Sequence, residues 1–412
     1  MKIHSLLIYD LSCKMKNIYL ILFFCFSLLS FGQAKVNYAL IDKKMDAIPD
    51  SFANSTDSIA KYINANFKTE NDKIRAAFYW TAANIRYDVE NMFVVNINET
   101  KEERIAKTLK TKKGICYDYA TIFNEIVNAV GIKAVLISGY TKVNDRVANL
   151  SHAWCAAKID NKWYLFDPTW GSGYVNNTDK KYTRNLNNSF FKIAPELMIN
   201  SHMPFDYLWQ FVDYPVTNQE FMEGVVAGDE TKEKFDFIKE ISRYESLSKA
   251  DQFLESSKRI EKNGMKNQLI SQAYINAINH WNYEKDQENR EKFNEANSRV
   301  NAIVKKYREA IKELNDFVNY RNKQFQPLTS DEEIKKMIQV PRDELVKCKE
   351  AVSAIGNIDN QNRANLDDLE NSISKTLAQA EEHIQFVNSY LSKPKPVRKT
   401  MFYTVVRSSK PH

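Results

Sequence analysis

Three residues in the first half of this 412-residue chain carry the side chains of nucleophilic catalysis: Cys116, His152 and Asp167. A cysteine thiolate attacks a carbonyl carbon, an imidazole moves protons to and from the reacting atoms, and a carboxylate fixes the tautomer of that imidazole. Together such groups cleave an amide or transfer its acyl group through a thioester. Each residue also has an ordinary structural interpretation, and the predicted helices and strands that carry these residues help to choose between the two.

Cys116 is predicted to stand at or just before the first turn of a helix. Apolar residues recur with helical spacing from Ala120 to Val130, and Gly131 is a typical residue at a helix C-terminus. The free backbone N–H groups and the dipole at a helix N-terminus favour a thiolate there. The alternative is a small, buried and unreactive cysteine.

The stretches 151–159 and 162–170 predict the two strands of a β-hairpin with a two-residue turn. In this register His152 opposes Thr169, and His152 and Asp167 become diagonal neighbours on one face, roughly 7 Å apart at the backbone. An imidazole beside a carboxylate has the form of an oriented general base. Taken separately, His152 is equally a core histidine and Asp167 a cap where the strand ends.

The remaining cysteines are predicted to pack rather than react. Cys13 and Cys25 lie in an N-terminal segment expected to be removed, which leaves an odd set of three that does not resemble a disulfide framework. Strand alternation turns Cys155 away from His152. Cys348 occupies a core position of a helical heptad seam. Neither zinc-ligand spacing, an EF-hand nor a phosphate-binding loop is present, so no metal or other cofactor is predicted.

In their order and context these residues resemble the transglutaminase-like superfamily of papain-like cysteine enzymes. The motifs that carry the resemblance are Gly114-Ile115-Cys116, His152-Ala153-Trp154 and Phe166-Asp167-Pro168-Thr169-Trp170. The resemblance covers about residues 55–225, and the stretch 190–215 is similar to the kyphoscoliosis-peptidase-like branch. It implies an α+β fold in which the cysteine helix packs on an antiparallel sheet. It also implies a Cys116-His152-Asp167 triad acting on peptide or protein amides.

A reaction of this type needs donors for the developing oxyanion. The backbone N–H of Cys116 is the first candidate and the indole N–H of Trp80 the second, although Trp80 also fits a core position. Tyr119 and Trp154 are the other predicted pocket residues. For Tyr119, as for Asp118, shaping the pocket and capping or packing the helix are equal alternatives.

The N-terminus predicts export. Lys14 and Lys16 precede an apolar stretch at 18–31, which is short for a membrane span and suited to a signal peptide. We therefore expect a signal peptide at 1–34 and a periplasmic or secreted protein without membrane attachment after cleavage. The alternative is an uncleaved anchor.

The chain is expected to divide near residue 230, into a transglutaminase-like domain (35–229), an all-α domain (230–393) and a basic tail (394–412). No proline occurs between Val216 and Gln326, and apolar residues beyond follow heptad seams. These seams include Val300, Val304, Tyr307, Ile311, Leu314 and Val318, then Leu345, Cys348, Val352 and Ile355. An antiparallel helical hairpin with its turn at Pro327 is the simplest arrangement.

Two classes of function remain open. One is an exported peptidase or acyltransferase with a protein or peptide substrate. The other is a catalytically inactive binding protein that holds a partner, or a second copy of itself, through its helical half. The net charge of +6, from 58 basic and 52 acidic residues, does not indicate nucleic-acid binding.

Overall fold

A computed structural model describes residues 37–93, 99–176, 178–224, 228–355 and 360–403. The predicted signal peptide (1–34) lies outside the described residues, and the basic tail is described only as far as residue 403. The chain forms two compact units, one ending at His280 and the other beginning at Trp281. The domain boundaries expected from composition stay predictions.

The first unit contains both helices and strands. Its helices are α1 (Ala39–Asp46), α2 (Thr56–Asn66), α3 (Glu70–Asn84), α4 (Lys101–Thr111), α5 (Cys116–Ala129), α6 (Pro168–Ser172), α7 (Pro195–Met198), α8 (Asn218–Glu223), α9 (Phe237–Glu245) and α10 (Lys249–Lys262). Its strands are β1 (Arg86–Tyr87), β2 (Lys113–Gly114), β3 (Ala134–Val143), β4 (Arg146–Ile159), β5 (Lys162–Phe166), β6 (Gly173–Val175), β7 (Tyr182–Arg184) and β8 (His202–Pro204). Helix α11 (Gln268–Asn322) begins in the first unit and continues into the second.

The main sheet is antiparallel in the order β5-β4-β3-β8. Helix α5 packs against β3 and β4, and α2 and α3 pack against α5. The core between them contains large apolar side chains from each layer, among them Ile63, Trp80, Phe123, Cys155 and Phe166. The helix that begins at Cys116 therefore lies on an antiparallel sheet. The predicted α+β class is confirmed.

The predicted hairpin register is confirmed where the ladder exists, since Cys155 pairs with Phe166 and Ile159 with Lys162. Both turn residues take positive φ angles, Asp160 at 48° and Asn161 at 62°, which Asp and Asn tolerate better than most residues.

The predicted strand 162–170 is too long. Strand β5 ends at Phe166, because Asp167 caps α6 by accepting the backbone N–H groups of Thr169 and Trp170 at 2.8 and 3.1 Å. The prediction that His152 opposes Thr169 is therefore wrong. The cross-strand partner of His152 is Gly139 of β3.

Gly139 allows β3 to pair closely with both of its neighbours. A Cβ at this position would lie 2.1 Å from the carbonyl oxygen of Met203 in β8 and 2.5 Å from the Trp154 ring. Only a residue without a side chain fits there. Strand β8 can consequently pair with β3 at this position.

The second unit is helical, as predicted. It contains the rest of α11 together with α12 (Asp331–Ser353) and α13 (Asn360–Leu391). Its core includes Leu314, Ile338, Leu345 and Val387, and Cys348 is buried as predicted. The chain turns between α11 and α12 around Pro327, and α12 and α13 also pack against each other, so a single hairpin is too simple a description. Among the described residues, no helix combines the length and hydropathy needed to cross a membrane.

We predict that Gly139→Ala lowers the free energy of unfolding by about 1–3 kcal/mol, the usual cost of forcing an extra methyl group into a packed site. Urea unfolding followed by tryptophan fluorescence measures this change. Ser138→Ala, at the exposed neighbouring position, is the matched control and should be nearly neutral. Equal stabilities of the two variants would contradict the close approach of β8.

Candidate active site

Cys116 is the first residue of α5, and the preceding loop is shaped by Asp118. The carboxylate of Asp118 accepts the backbone N–H of Ile115 at 2.7 Å and forms an ion pair with Arg104. A Cβ on Gly114 would lie 2.7 Å from the Cβ of Asp118, so glycine leaves the space that this cap needs. Asp118 therefore caps the helix, which is one of the two roles that the sequence left open for it; the other was to shape the pocket.

The imidazole of His152, from β4, is bonded to the carboxylate of Asp167. The distance from His152 Nε2 to Asp167 Oδ2 is 2.8 Å, and both side chains are buried. Because Nε2 is engaged by Asp167, Nδ1 is the ring nitrogen left for the Cys116 thiol. Cys116 and His152 line the same cleft, and the interaction of the protonated ring with the Cys116 sulfur raises the pKa of His152. The structure thus brings the three predicted residues together.

His202, from β8, is a second imidazole on the same carboxylate. Its Nε2 lies 3.1 Å from Asp167 Oδ2, and its Nδ1 lies 2.8 Å from the hydroxyl of Ser201. Sequence reasoning missed this residue, since no motif surrounds it and it lies 35 positions beyond Asp167. The pairing of β8 with β3 at the Gly139 position is what brings it to the site.

Charge is distributed unequally over this cluster. Burial by itself would lower the pKa of His152, but the Asp167 carboxylate and the ionised Cys116 sulfur raise that pKa to about 10. Burial also opposes ionisation of Asp167, yet the two imidazoles hold the pKa of its carboxyl far below the ordinary value. Burial lowers the pKa of His202. At neutral pH, His152 is the cation of the cluster and His202 is neutral.

Aromatic rings enclose the two imidazoles. Trp154 stacks on His152 with ring centroids 6.1 Å apart, and Trp170 lies with its centroid 5.6 Å from His152 and 4.5 Å from His202. These rings exclude water, which strengthens the hydrogen bonds to Asp167. Trp154 is buried and acts by packing on the histidine.

Trp80 and Tyr119, the other predicted pocket residues, are both fully buried in the main core. The Tyr119 hydroxyl donates to the carbonyl oxygen of Ile85 at 2.7 Å, so Tyr119 packs the helix rather than lining the cleft. The indole Nε1 of Trp80 is buried without a hydrogen-bond partner among the described residues. An unpaired buried donor is rare in proteins and calls for an explanation.

Two cavities meet at His152. One, of about 770 Å³, is lined by both Cys116 and His152. The other, of about 870 Å³, is lined by His152, Trp170 and Thr169, whose buried hydroxyl has no partner among the described residues. Cys155 lines neither cavity. Its thiol is buried against the carbonyl oxygen of Ala120, and burial raises its pKa well above the ordinary value.

His152, Asp167 and His202 also offer ligand atoms that a metal ion could use, since these atoms lie within 4.8 Å of one another. The same atoms form the 2.8 and 3.1 Å hydrogen bonds of the cluster. A bound ion would displace both protons and separate His152 from Asp167. The hydrogen-bonded arrangement satisfies all three side chains without an ion.

Comparison with known proteins shows which family this region of the chain is similar to. Residues 57–168 match the family model of the transglutaminase-like superfamily. Kyphoscoliosis peptidase of Mus musculus is 31% identical over 156 residues, which cover 36% of this chain and 23% of that protein. The Homo sapiens kyphoscoliosis peptidase is 29% identical over 159 residues, 37% of this chain and 24% of that protein.

Among solved structures, the crystal structure of a TGase aligns with a TM-score of 0.24 and 18% identity, over 42% of this chain and 43% of the other. This chain spans about a quarter of the length of the kyphoscoliosis peptidases that it matches. The resemblance predicted from the sequence, including that to the kyphoscoliosis-peptidase branch, is confirmed. Residues 57–168 form a domain of the transglutaminase-like superfamily.

Proposed function

We propose that this protein is an exported cysteine enzyme that acts on peptide or protein amides through an acyl thioester on Cys116. The observation that carries the proposal is that His152, held by Asp167 through Nε2, lines one cleft together with Cys116. Export rests on the predicted signal peptide, and binding of a partner through the helical half is likewise a proposal.

In the first step, the Cys116 sulfur forms a bond to the amide carbon while the carbonyl oxygen becomes an oxyanion. The backbone N–H of Cys116, free at the start of α5, is the proposed donor to this oxyanion. The C–N bond then breaks, and His152 gives its proton to the departing amine.

In the second step, water or an amine attacks the thioester carbon, and His152 takes the proton of the attacking group. The C–S bond breaks and the thiolate returns, which restores the pair of Cys116 and His152. Asp167 remains ionised throughout because the donors around it stabilise its charge. Its role is to hold the imidazole in one orientation and one tautomer.

His202 is a positioning residue in this proposal. Its low pKa keeps it neutral, so Nε2–H donates to Asp167 while Nδ1 accepts the Ser201 hydroxyl proton. A neutral donor holds the Asp167 carboxylate in place but does not neutralise its negative charge, which remains available to stabilise protonated His152. His152 can therefore remain the cation that pairs with the thiolate.

We predict that the full chain converts peptide amides to acids or to amine conjugates, and that Cys116→Ser abolishes both products. A screen of peptides with and without primary amines, read by mass spectrometry, measures this. Acyl adducts on Cys116 at short reaction times would identify the thioester. If wild-type Cys116 reacts with alkylating agents yet no peptide is turned over, the inactive binding protein becomes the better interpretation.

The pH dependence of alkylation tests the role of Asp167. Iodoacetate is negatively charged, so its reaction with the Cys116 thiolate should be fastest while His152 is protonated, and the rate should fall near pH 10. In Asp167→Asn the charge that raises the pKa of His152 is gone while burial still lowers it, so this alkaline limb should move to lower pH by about 1–3 units.

Two controls belong to that experiment. His152→Ala should lose the alkaline limb entirely, and buried Cys155 should remain unlabelled in every variant. The Asn substitution is preferred to Ala because its carbonyl oxygen can still accept the N–H groups of Thr169 and Trp170. An unchanged alkaline limb in Asp167→Asn would contradict the proposed charge relation.

We predict that His202→Phe lowers kcat by about 10- to 100-fold, the value of one hydrogen bond to a charged group. His202→Gln, which retains an N–H donor, should keep most of the activity. Because His202 acts through Asp167, adding His202→Phe to Asp167→Asn should cost little more. Losses that multiply in the double variant, or that simply follow a lower Tm, would indicate a purely structural histidine.

A further inference from the structure

One wall of the cleft that holds Cys116 and His152 comes from far outside the matched region 57–168. It consists of α10 and the first turns of α11, up to His280, and we call it the helical wall. Nine of its residues line the cleft, among them Phe253, Ile260, Leu269, Ala273, Ala277 and His280. The composition of the sequence had suggested that this stretch belongs to a separate domain.

The helical wall is fixed to the sheet by a shared core. Ile260, Ile270 and Ala277 are buried together with Tyr140 of β3 and Met203 of β8. Because Met203 is next to His202, the helical wall and the Asp167 cluster pack on the same short strand.

A buried ion pair adds to this attachment. Arg259 of α10 binds both carboxylate oxygens of Asp206, with Nε–Oδ1 and Nη2–Oδ2 distances of 2.7 and 2.8 Å. Both side chains are at most 6% exposed. The Asn218 side chain also donates to the carbonyl oxygen of Gly264, in the turn between α10 and α11, at 2.7 Å. The helical wall is therefore held from both of its helices.

The cleft provides almost no charge for a substrate to pair with. Of the described residues that line it, none is Lys, Arg or Glu, and Asp206 is the one carboxylate. That carboxylate is already neutralised by Arg259. The cation His152 is paired with Asp167 and serves the thiolate. An ammonium or carboxylate entering the cleft would lose water without gaining a partner, which is costly.

The helical wall offers apolar and neutral hydrogen-bonding groups instead. Leu269 and Ala273 present aliphatic surface, and Phe253 stacks on His280 with ring centroids 4.9 Å apart and planes at 17°. Gln272 and Asn276 line the same cleft and are exposed, so their amides can pair with a peptide backbone. A volume of about 770 Å³ lies within the range that encloses small ligands, ~300–1,000 Å³.

We propose that the helical wall is the substrate-selecting surface of this site and binds an uncharged, apolar stretch of peptide adjacent to the reacting amide. This inference rests on the proposed function, since it names the substrate class of the same cleft. Two observations support this occupant. Cys116 lines the same cleft as the helical wall, and the described residues of that lining carry no unpaired charge. Residues 249–280 would then determine specificity while residues 57–168 supply the chemistry.

The test uses peptidyl chloromethyl ketones, which alkylate Cys116 without turnover. Wild-type protein should react with acetyl-Leu-Leu chloromethyl ketone about tenfold faster or more than with acetyl-Asp-Lys chloromethyl ketone, as expected when an apolar side chain is buried. Ala273→Trp fills the cleft beside the helical wall and should remove this preference. The rate at which small, neutral iodoacetamide alkylates Ala273→Trp should stay within about twofold of the wild-type rate.

Ile275→Trp is the matched control, because Ile275 is exposed on the same helix and is not among the residues lining the cleft. Gln272→Trp, at an exposed position that does line the cleft, provides a second blocking variant if Ala273→Trp folds poorly. Full reactivity of folded blocking variants with the Leu-Leu probe would overturn this inference alone. Resistance of wild-type Cys116 to iodoacetamide would overturn the proposed function, and this inference with it.

Discussion

The site depends on one buried carboxylate. Asp167 is fully buried and accepts four N–H groups: those of the His152 and His202 rings and the backbone N–H groups of Thr169 and Trp170. A buried charge is tolerated only when its hydrogen-bonding capacity is filled. The same four donors also settle the geometry, since they fix where β5 stops, how α6 starts and which way the imidazole of His152 faces.

This dependence links the local chemistry to the sheet as a whole. His202 reaches Asp167 because β8 pairs with β3 at Gly139, and the helical wall packs against the neighbouring Met203. The histidine that holds Asp167 and the methionine on which the helical wall packs therefore lie on one strand of three residues. Small shifts of β8 would disturb both functions together, because packed interiors transmit displacement.

The sequence predicted the parts of the site that rest on local patterns. The helix at Cys116, the register around Cys155 and the approach of His152 to Asp167 follow from periodicity and turn length. The predicted end of the second hairpin strand was wrong. The alternating pattern continues to Trp170, but Asp167 accepts hydrogen bonds from the following backbone N–H groups and thereby ends the strand. His202 could not be predicted, because only the long-range pairing of β8 with β3 places it.

The ion pair between Arg259 and Asp206 bears on how this protein can be divided. A fragment that ended near residue 229, where the composition changes, would keep Asp206 in its interior but lose the guanidinium that compensates it, at a cost of about 3–5 kcal/mol. It would also uncover the faces of Tyr140 and Met203 that α10 and α11 now shield. A fragment that reaches His280, the end of the first compact unit, keeps both sets of contacts, and it extends well past the family match at 57–168.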